Sequence, residues 1–371
     1  MSAPSADFRL KPTSFNELPG WQKDDPSDLL DVMADCLRYI EDVKPHRSGS
    51  LGLTSEDLVP LLRALKGIER TPDAVRRLFE QECKPFEILL PDGGSGFVTA
   101  FYEPEVTVAA KPGDGFLYPF YRRPDDLVDI SGANRPQGWD YSYVFGRKTD
   151  QGVMPYPDRK AIDQGFLDGR GLEIAWANSR VDVFFAHVQG AARLRFPDGS
   201  LRRITYDGKA GHPFSGIGRY LIDLGEIAEE DISMQSIRLW LEEHPERQDE
   251  ILWHNRSYIF FKEAAVSDER RGPIAAAKVP LVAGRSLAVD RLIHTFGFPF
   301  FIHAPELTRL DAGRPFARLM LALDTGSAIV GPARGDIFTG SGFRAGEMAG
   351  AVRNRANFYI LIPNKAAARF G

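Results

Sequence analysis

Two carboxylates lie close together in a glycine-rich stretch near the chain's end. Leu323-Asp324-Thr325-Gly326-Ser327-Ala328 is followed by Gly335-Asp336-Ile337-Phe338-Thr339-Gly340. Asp next to Gly often only makes a tight turn, the carboxylate capping backbone N–H groups. Here the apolar run Arg318 to Leu323 leads into Asp324, and Ile337-Phe338 follows Asp336. Such a setting raises a carboxyl pKa toward the range that general-acid chemistry needs. A second cluster is Thr99-Ala100-Phe101-Tyr102-Glu103-Pro104-Glu105. Period-two alternation would present Thr99 and Glu103 on one strand face; the plainer reading is a strand ending in a turn at Pro104. A third, His187-Val188-Gln189-Gly190-Ala191-Ala192-Arg193, offers an amide and a guanidinium to a polar ligand, or is simply a half-exposed strand.

Other chemistries find no support. HExxH, GxSxG and Walker A patterns are absent. The seven histidines are scattered, with no pair at metal-ligand spacing, so neither a metal nor a cofactor is expected. Gly340-Ser341-Gly342-Phe343-Arg344-Ala345 matches the dinucleotide fingerprint, which also needs an acidic residue closing the next strand. Phe358 to Ile362 is instead followed by Pro363-Asn364-Lys365, with too little chain left to extend a sheet. That reading is rejected.

The elements that must position these residues fall into two textures. Leu29, Met33, Cys36, Leu37 and Ile40 recur at helical spacing, with Asp25 as N-cap and Pro26 in the first turn. Thr54 with Asp57 starts a second helix in a capping-box arrangement, and Thr71-Pro72 starts a third toward Glu82. After Gly93-Gly94-Ser95-Gly96 come strand-like runs at 97–102, 181–188, 258–261, 298–302, 318–323 and 358–362. Two further helices are expected at 233–243 and 344–355. Helices first and strands later predict a mainly β or α+β fold rather than regular βαβ alternation.

Length and composition agree. A chain of 371 residues is long enough for two domains. With 43% hydrophobic and 26% charged residues it is an ordinary globular sequence, not a disordered, coiled-coil or collagen-like one. A net charge of −5 without long runs of either sign argues against a nucleic-acid partner. No stretch approaches a membrane span, and the start, MSAPSADFRLKPTSF, has no signal-peptide core. Either the protein is cytosolic or a leader has been removed. Cys36 and Cys83 are read as two buried thiols or one disulfide.

The order of these clusters resembles the membrane-bound lytic murein transglycosylase A (MltA) family along nearly the whole chain. The matching blocks begin with Leu18-Pro19-Gly20-Trp21 and Thr99 to Pro104, then Tyr118-Pro119-Phe120-Tyr121-Arg122-Arg123-Pro124. They continue with Leu172-Glu173-Ile174-Ala175-Trp176, Phe184 to Arg195, Pro197-Asp198-Gly199, Gly211-His212-Pro213 and Ile217-Gly218-Arg219. Asn255-Arg256-Ser257-Tyr258, Gly272-Pro273 and Gly284-Arg285-Ser286-Leu287-Ala288-Val289-Asp290 follow. Ala322 to Gly350 is similar to the family's three-aspartate (3D) region, with Asp290, Asp324 and Asp336 as the three.

The resemblance implies a double-psi β-barrel domain with N-terminal helices, built from both chain ends (1–103 and 269–371), and a second β-barrel inserted at 104–268. A groove between them would take peptidoglycan glycan strands. The implied reaction cleaves the β-1,4 bond between N-acetylmuramic acid and N-acetylglucosamine without water, leaving a 1,6-anhydromuramoyl end. Asp336 matches the catalytic acid and base. Asp324 would support it by a hydrogen bond or by like charge, and Thr99, Tyr102, Glu103, Gln189 and Arg193 would line the groove. The family also implies a periplasmic protein associated with the outer membrane through a leader absent from this sequence. There are departures: Ala100-Phe101 stands where relatives often have Gly-Tyr, Ala191-Ala192 where Ser-Gly is usual, and Arg344 where Glu is common. Two other readings predict different products. A hydrolase would pair Asp336 with Asp324 or Glu103 as base for water, and a glycan-binding protein would form no product.

Overall fold

The computed structural model describes residues 8–265, 268 and 270–370. The described residues form two compact units, one drawn from 1–102, 266–340 and 344–371, the other from 103–265 and 341–343.

The first unit opens with helices where sequence places them. Asp25 accepts the Ser27 N–H at 3.1 Å and caps a 3-10 turn, Pro26–Asp28, that runs into the helix Leu29–Asp42. Thr54 and Asp57 form the reciprocal capping box of Ser55–Ala64, and Thr71 caps Pro72–Glu82. Their apolar stripes pack onto a sheet. Leu29, Met33, Cys36, Leu58, Leu61, Val75 and Phe79 share one core with Phe298, Phe300, Phe301 and Leu319 to Leu323.

Six strands of this sheet close into a ring: Gly96–Glu103, Arg353–Pro363, Pro299–Ala304, Phe316–Asp324, Ser286–Val289, Arg334–Ser341, and back to Gly96–Glu103. Closure leaves the barrel without a free edge. It depends on the long last strand, Arg353–Pro363, which pairs at one end with the first strand (Arg353↔Thr99) and further along with Pro299–Ala304 (Phe300↔Ile360). Cys83–Leu89 and Arg9–Pro12 add on outside the ring. Gly96 sits where a side chain is excluded, since a Cβ would come within 2.5 Å of the Ala333 carbonyl oxygen.

The second unit holds another six-stranded sheet, in the order Ile259–Glu263, Leu201–Lys209, Ala191–Arg195, Glu105–Ala109, Glu173–Ala177, Tyr118–Tyr121. A bridge between Arg122 and Phe261 joins its two edges. A three-stranded sheet, Leu127–Asp129, Phe145–Thr149 and Gly152–Met154, belongs to the same unit. Helices Arg180–Gln189, Ile217–Asp223, Met234–Glu243 and Gln248–His254 share a core of Phe184, Leu221, Trp240, Leu241 and Ile251.

Two sequence expectations change, and of the two readings of the cysteines one holds. The run 181–188 is not a strand but the helix Arg180–Gln189, with Ser179 capping the Asp182 N–H and Gly190 ending it in the left-handed region. Its apolar residues are buried nearly all round, so periodicity could not separate helix from strand and the caps decide. The helix expected at 344–355 spans Phe343–Gly350, because Arg353 onward is recruited as the ring-closing strand. Cys36 and Cys83 are separate buried thiols, and burial pushes the Cys36 thiol up to about 12.

Candidate active site

The two aspartates flank one residue. Ala288, on Ser286–Val289, pairs in parallel register with Asp324 and in antiparallel register with Asp336. Adjacent strands lie about 4.8 Å apart, so the two α-carbons are roughly 10 Å from each other. The apolar residues flanking the two Asp are buried on both faces of their strands: Leu321, Ala322, Leu323, Ile337 and Phe338 are almost fully buried.

Asp336 is held from a strand that sequence places far away. The Thr99 hydroxyl donates to Asp336 Oδ1 and accepts from Arg334 Nη2 at 2.7 Å. With the arginine filling its acceptor side, the hydroxyl hydrogen is committed to the carboxyl. Arg334 and Asp336 are two residues apart on one strand and therefore share a face. The guanidinium lies over the Phe97 ring, 5.6 Å from its centroid, and also donates to the Gly335 carbonyl. Burial raises the Asp336 carboxyl above its ordinary pKa, against the Thr99 hydrogen bond and the Arg334 charge.

Asp324 has its own support. Its Oδ1 accepts the Ala276 N–H at 3.1 Å. That N–H belongs to a tight loop in which Ala275 N–H bonds Val279 O, Lys278 N–H bonds Ala275 O, and Ala277 N–H bonds Leu323 O, each at 2.9 Å. Burial pushes the Asp324 carboxyl up to about 6 against the N–H groups of Ala276 and Thr325, and the Asp336 charge adds to the rise. Of the two modes of support expected for Asp324, a hydrogen bond or like charge, no hydrogen bond joins the two aspartates among the described residues, and the like charge is present. Asp290, the third aspartate, is buried and structural: its carboxylate accepts Leu292 N–H at 3.0 Å and Gly331 N–H at 2.8 Å.

The other expected residues divide. Thr99 joins Asp336. Tyr102 is buried, its ring lying against Gly346, where a Cβ would come within 2.8 Å of Cε2. Glu103 is fully buried in the second unit, 2.9 Å from Arg193 Nε and 3.1 Å from Arg203 Nε, and takes the Ser341 hydroxyl at 2.6 Å. These contacts occupy the Glu103 carboxylate within the protein. Arg193 is on Ala191–Arg195, and Gln189 is the half-exposed last residue of Arg180–Gln189. His187 is buried, with Nδ1 3.1 Å from Arg159 Nη1, and desolvation pushes its pKa well down. Sequence reasoning missed Arg334, Arg203 and Ser341. Period-two spacing to Asp336 was a usable signal for Arg334, whereas nothing local pointed to the other two. Among the described residues, no group of three or more His, Cys, Asp or Glu could hold a metal.

With this geometry in place, similarity to known proteins becomes informative. Residues 97–262 match the MltA specific insert domain, and residues 285–362 match the 3D domain, the stretch carrying Asp290, Asp324 and Asp336. A membrane-bound lytic murein transglycosylase from Agrobacterium tumefaciens has a crystal structure with a TM-score of 0.93 and 61% identity, covering 98% of this chain and 100% of that one. Escherichia coli MltA with bound chitohexaose matches at a TM-score of 0.68 and 26% identity, over 96% of this chain and 94% of that one. Membrane-bound lytic murein transglycosylase A of Escherichia coli K12 is 36% identical over 240 residues, 60% of this chain and 64% of the relative's length. The sequence match to that curated relative thus spans just under two thirds of it. No helix among the described residues is long and apolar enough to cross a membrane. Matching insert and 3D regions in the same order, together with 61% identity to a relative covered end to end, place the chain in the membrane-bound lytic murein transglycosylase A family.

Proposed function

We propose that this protein is a peptidoglycan lytic transglycosylase, cleaving the β-1,4 bond between N-acetylmuramic acid and N-acetylglucosamine and closing a 1,6-anhydro ring. The observation that carries the reading is Asp336, a carboxyl raised by burial and oriented by Thr99 inside the 3D-matched region. Thr99 occupies Oδ1, so the acid proton sits on Oδ2. Asp336 gives that proton to the glycosidic oxygen as the C1–O bond breaks, the bonding pair leaving with the oxygen. The sugar's C6 hydroxyl then closes onto C1 and returns its proton to the Asp336 carboxylate, so no water enters. One carboxyl is enough because the nucleophile belongs to the substrate and proximity supplies much of the advantage.

Asp324 is assigned a supporting role, one strand beyond Ala288, with a carboxyl that stays partly protonated near neutral pH. Arg193 and Gln189 are assigned to sugar contacts, and Glu103 and Tyr102 to holding the elements that carry them. Glycan strands are the partner, a reading supported by the chitohexaose bound to the Escherichia coli relative. In finer detail we assign residues 1–103 and 269–371 to a catalytic double-psi barrel and 104–268 to the inserted barrel. We place the protein in the periplasm, associated with the outer membrane through a leader.

Mass spectrometry of purified peptidoglycan digested by wild type and by Asp336→Asn tests the reaction. Anhydro-ended muropeptides that vanish in the variant are expected. Reducing-end products would instead establish a hydrolase, and no digestion by folded wild type would leave a glycan-binding protein.

A further inference from the structure

The second unit contains a cavity that the reaction proposed above does not use. Its volume is about 570 Å³, the size of a small-molecule site, and all its walls come from residues 117–258. A bulge builds one wall. Phe120 pairs with Ala175 and Tyr121 with Glu173, so Ile174 is an extra residue in its strand. That insertion turns Glu173 onto the face of Trp176, beside Tyr121, instead of the opposite one.

The charges in this cavity do not balance. Arg180 is taken up by Asp163 at 3.0 Å and by Asp249, and Arg159 is buried against the Asn255 and Ser257 carbonyls at 3.0 and 2.6 Å. Among the described residues Asp168 receives only the Tyr121 hydroxyl, at 3.4 Å, and no cation pairs with the Glu173 carboxylate, the nearby Arg122 Nη1 donating instead to the Glu173 carbonyl at 2.9 Å. Burial first, then Asp168 and Glu173, push the Tyr121 phenol above its ordinary range, which puts both carboxylates near one ring. Independently, Tyr258 lines the cavity at 2% exposure, and its hydroxyl has no hydrogen-bond partner among the described residues. Two uncompensated carboxylates, the half-exposed rings of Tyr118 and Trp176, and a buried hydroxyl able to accept a hydrogen bond are the groups that recognise an organic cation.

We propose that this cavity binds a primary ammonium group on an aliphatic chain, the chemistry shared by a free diamine and a diamino-acid side chain. Asp168 and Glu173 supply the counter-charge, Trp176 the aromatic wall, and the Tyr258 oxygen an acceptor. The proposal does not rest on glycan cleavage.

Calorimetric titration of the full chain at low salt near neutral pH tests it, using 1,5-diaminopentane, 1,5-pentanediol and Nα-acetyl-lysine methylamide as probes. The expected result is binding of the diamine without measurable binding of the diol, weakened about tenfold or more in Asp168→Asn/Glu173→Gln. Circular dichroism checks that the double variant is folded; if it is not, the wild-type comparison of diamine with diol still decides. Equal binding of the lysine derivative points to a diamino-acid side chain, and binding of the diamine alone to a free polyamine. Diol binding as tight as the diamine's, no binding of either amine, or undiminished amine binding by the folded double variant would overturn the proposal. So would a chitooligosaccharide that binds in an Asp168- and Glu173-dependent way while the amines do not.

Discussion

Asp324 and Asp336 face each other across a single residue, Ala288, on the two strands that flank it in a closed barrel. Their environments differ. One carboxyl leans on a backbone N–H of a loop, the other on a hydroxyl backed by a guanidinium. Because each support is separate, the two acids can be perturbed separately.

Thr99→Val removes the leading hydrogen bond that lowers the Asp336 pKa, leaving burial less opposed. The acid form then persists to higher pH, so the alkaline limb of the pH–rate profile moves up. Turnover at the optimum falls by about ten- to a hundredfold as the carboxyl loses its orientation. Arg334→Met shifts the limb in the same direction, by less. Steady-state rates on soluble glycan across pH measure both. An alkaline limb that stays put in both variants would remove Thr99 and Arg334 from control of the acid.

Asp324→Asn bears on stability. The folded-state pKa of Asp324, about 6, lies above the ordinary 3.8, so the folded form binds the proton more tightly. The stabilisation is full below about pH 4 and lost as pH rises through about 6. At pH 8 the neutral isostere should therefore unfold about 1–2 kcal/mol later than wild type, short of the ~3 kcal/mol that two pKa units represent, because the site is partly solvated. Below pH 4 the two should converge. Thermal melts at both pH values check the sign.

Glu103→Gln leaves Arg193 and Arg203 without their shared buried counter-charge. Breaking a buried ion pair from one side costs on the order of 3–5 kcal/mol. Chemical denaturation should show the loss, and an unchanged midpoint would mean that the two guanidinium groups are neutralised elsewhere.

Gly96→Ala pushes a methyl group into the Ala333 carbonyl and the Phe358 ring at the point where the first strand closes the barrel. Overpacking of this kind costs about 1–3 kcal/mol. The same strand carries Thr99, so activity should fall along with melting temperature. Full activity in a destabilised variant would show that the Thr99 strand keeps its place.

Much of this was legible locally. The caps at Asp25, Thr54 and Thr71 marked helix starts because a side-chain oxygen and a nearby N–H meet within one turn. The apolar runs around Asp324 and Asp336 marked buried strands, and burial is the largest cause of both upward pKa shifts. Where the local signal was ambiguous, as in 181–188, apolar residues on every face gave no period to read.

What the sequence determined by itself was the stock of acids, the short-range elements and the family. Tertiary structure decided which groups touch. Thr99 reaches Asp336, Ala276 reaches Asp324 and Ser341 reaches Glu103 only because strands and a loop distant in sequence are brought side by side. The physical reason is that register is set by barrel closure and burial of a whole face, long-range constraints that no window of neighbouring residues contains.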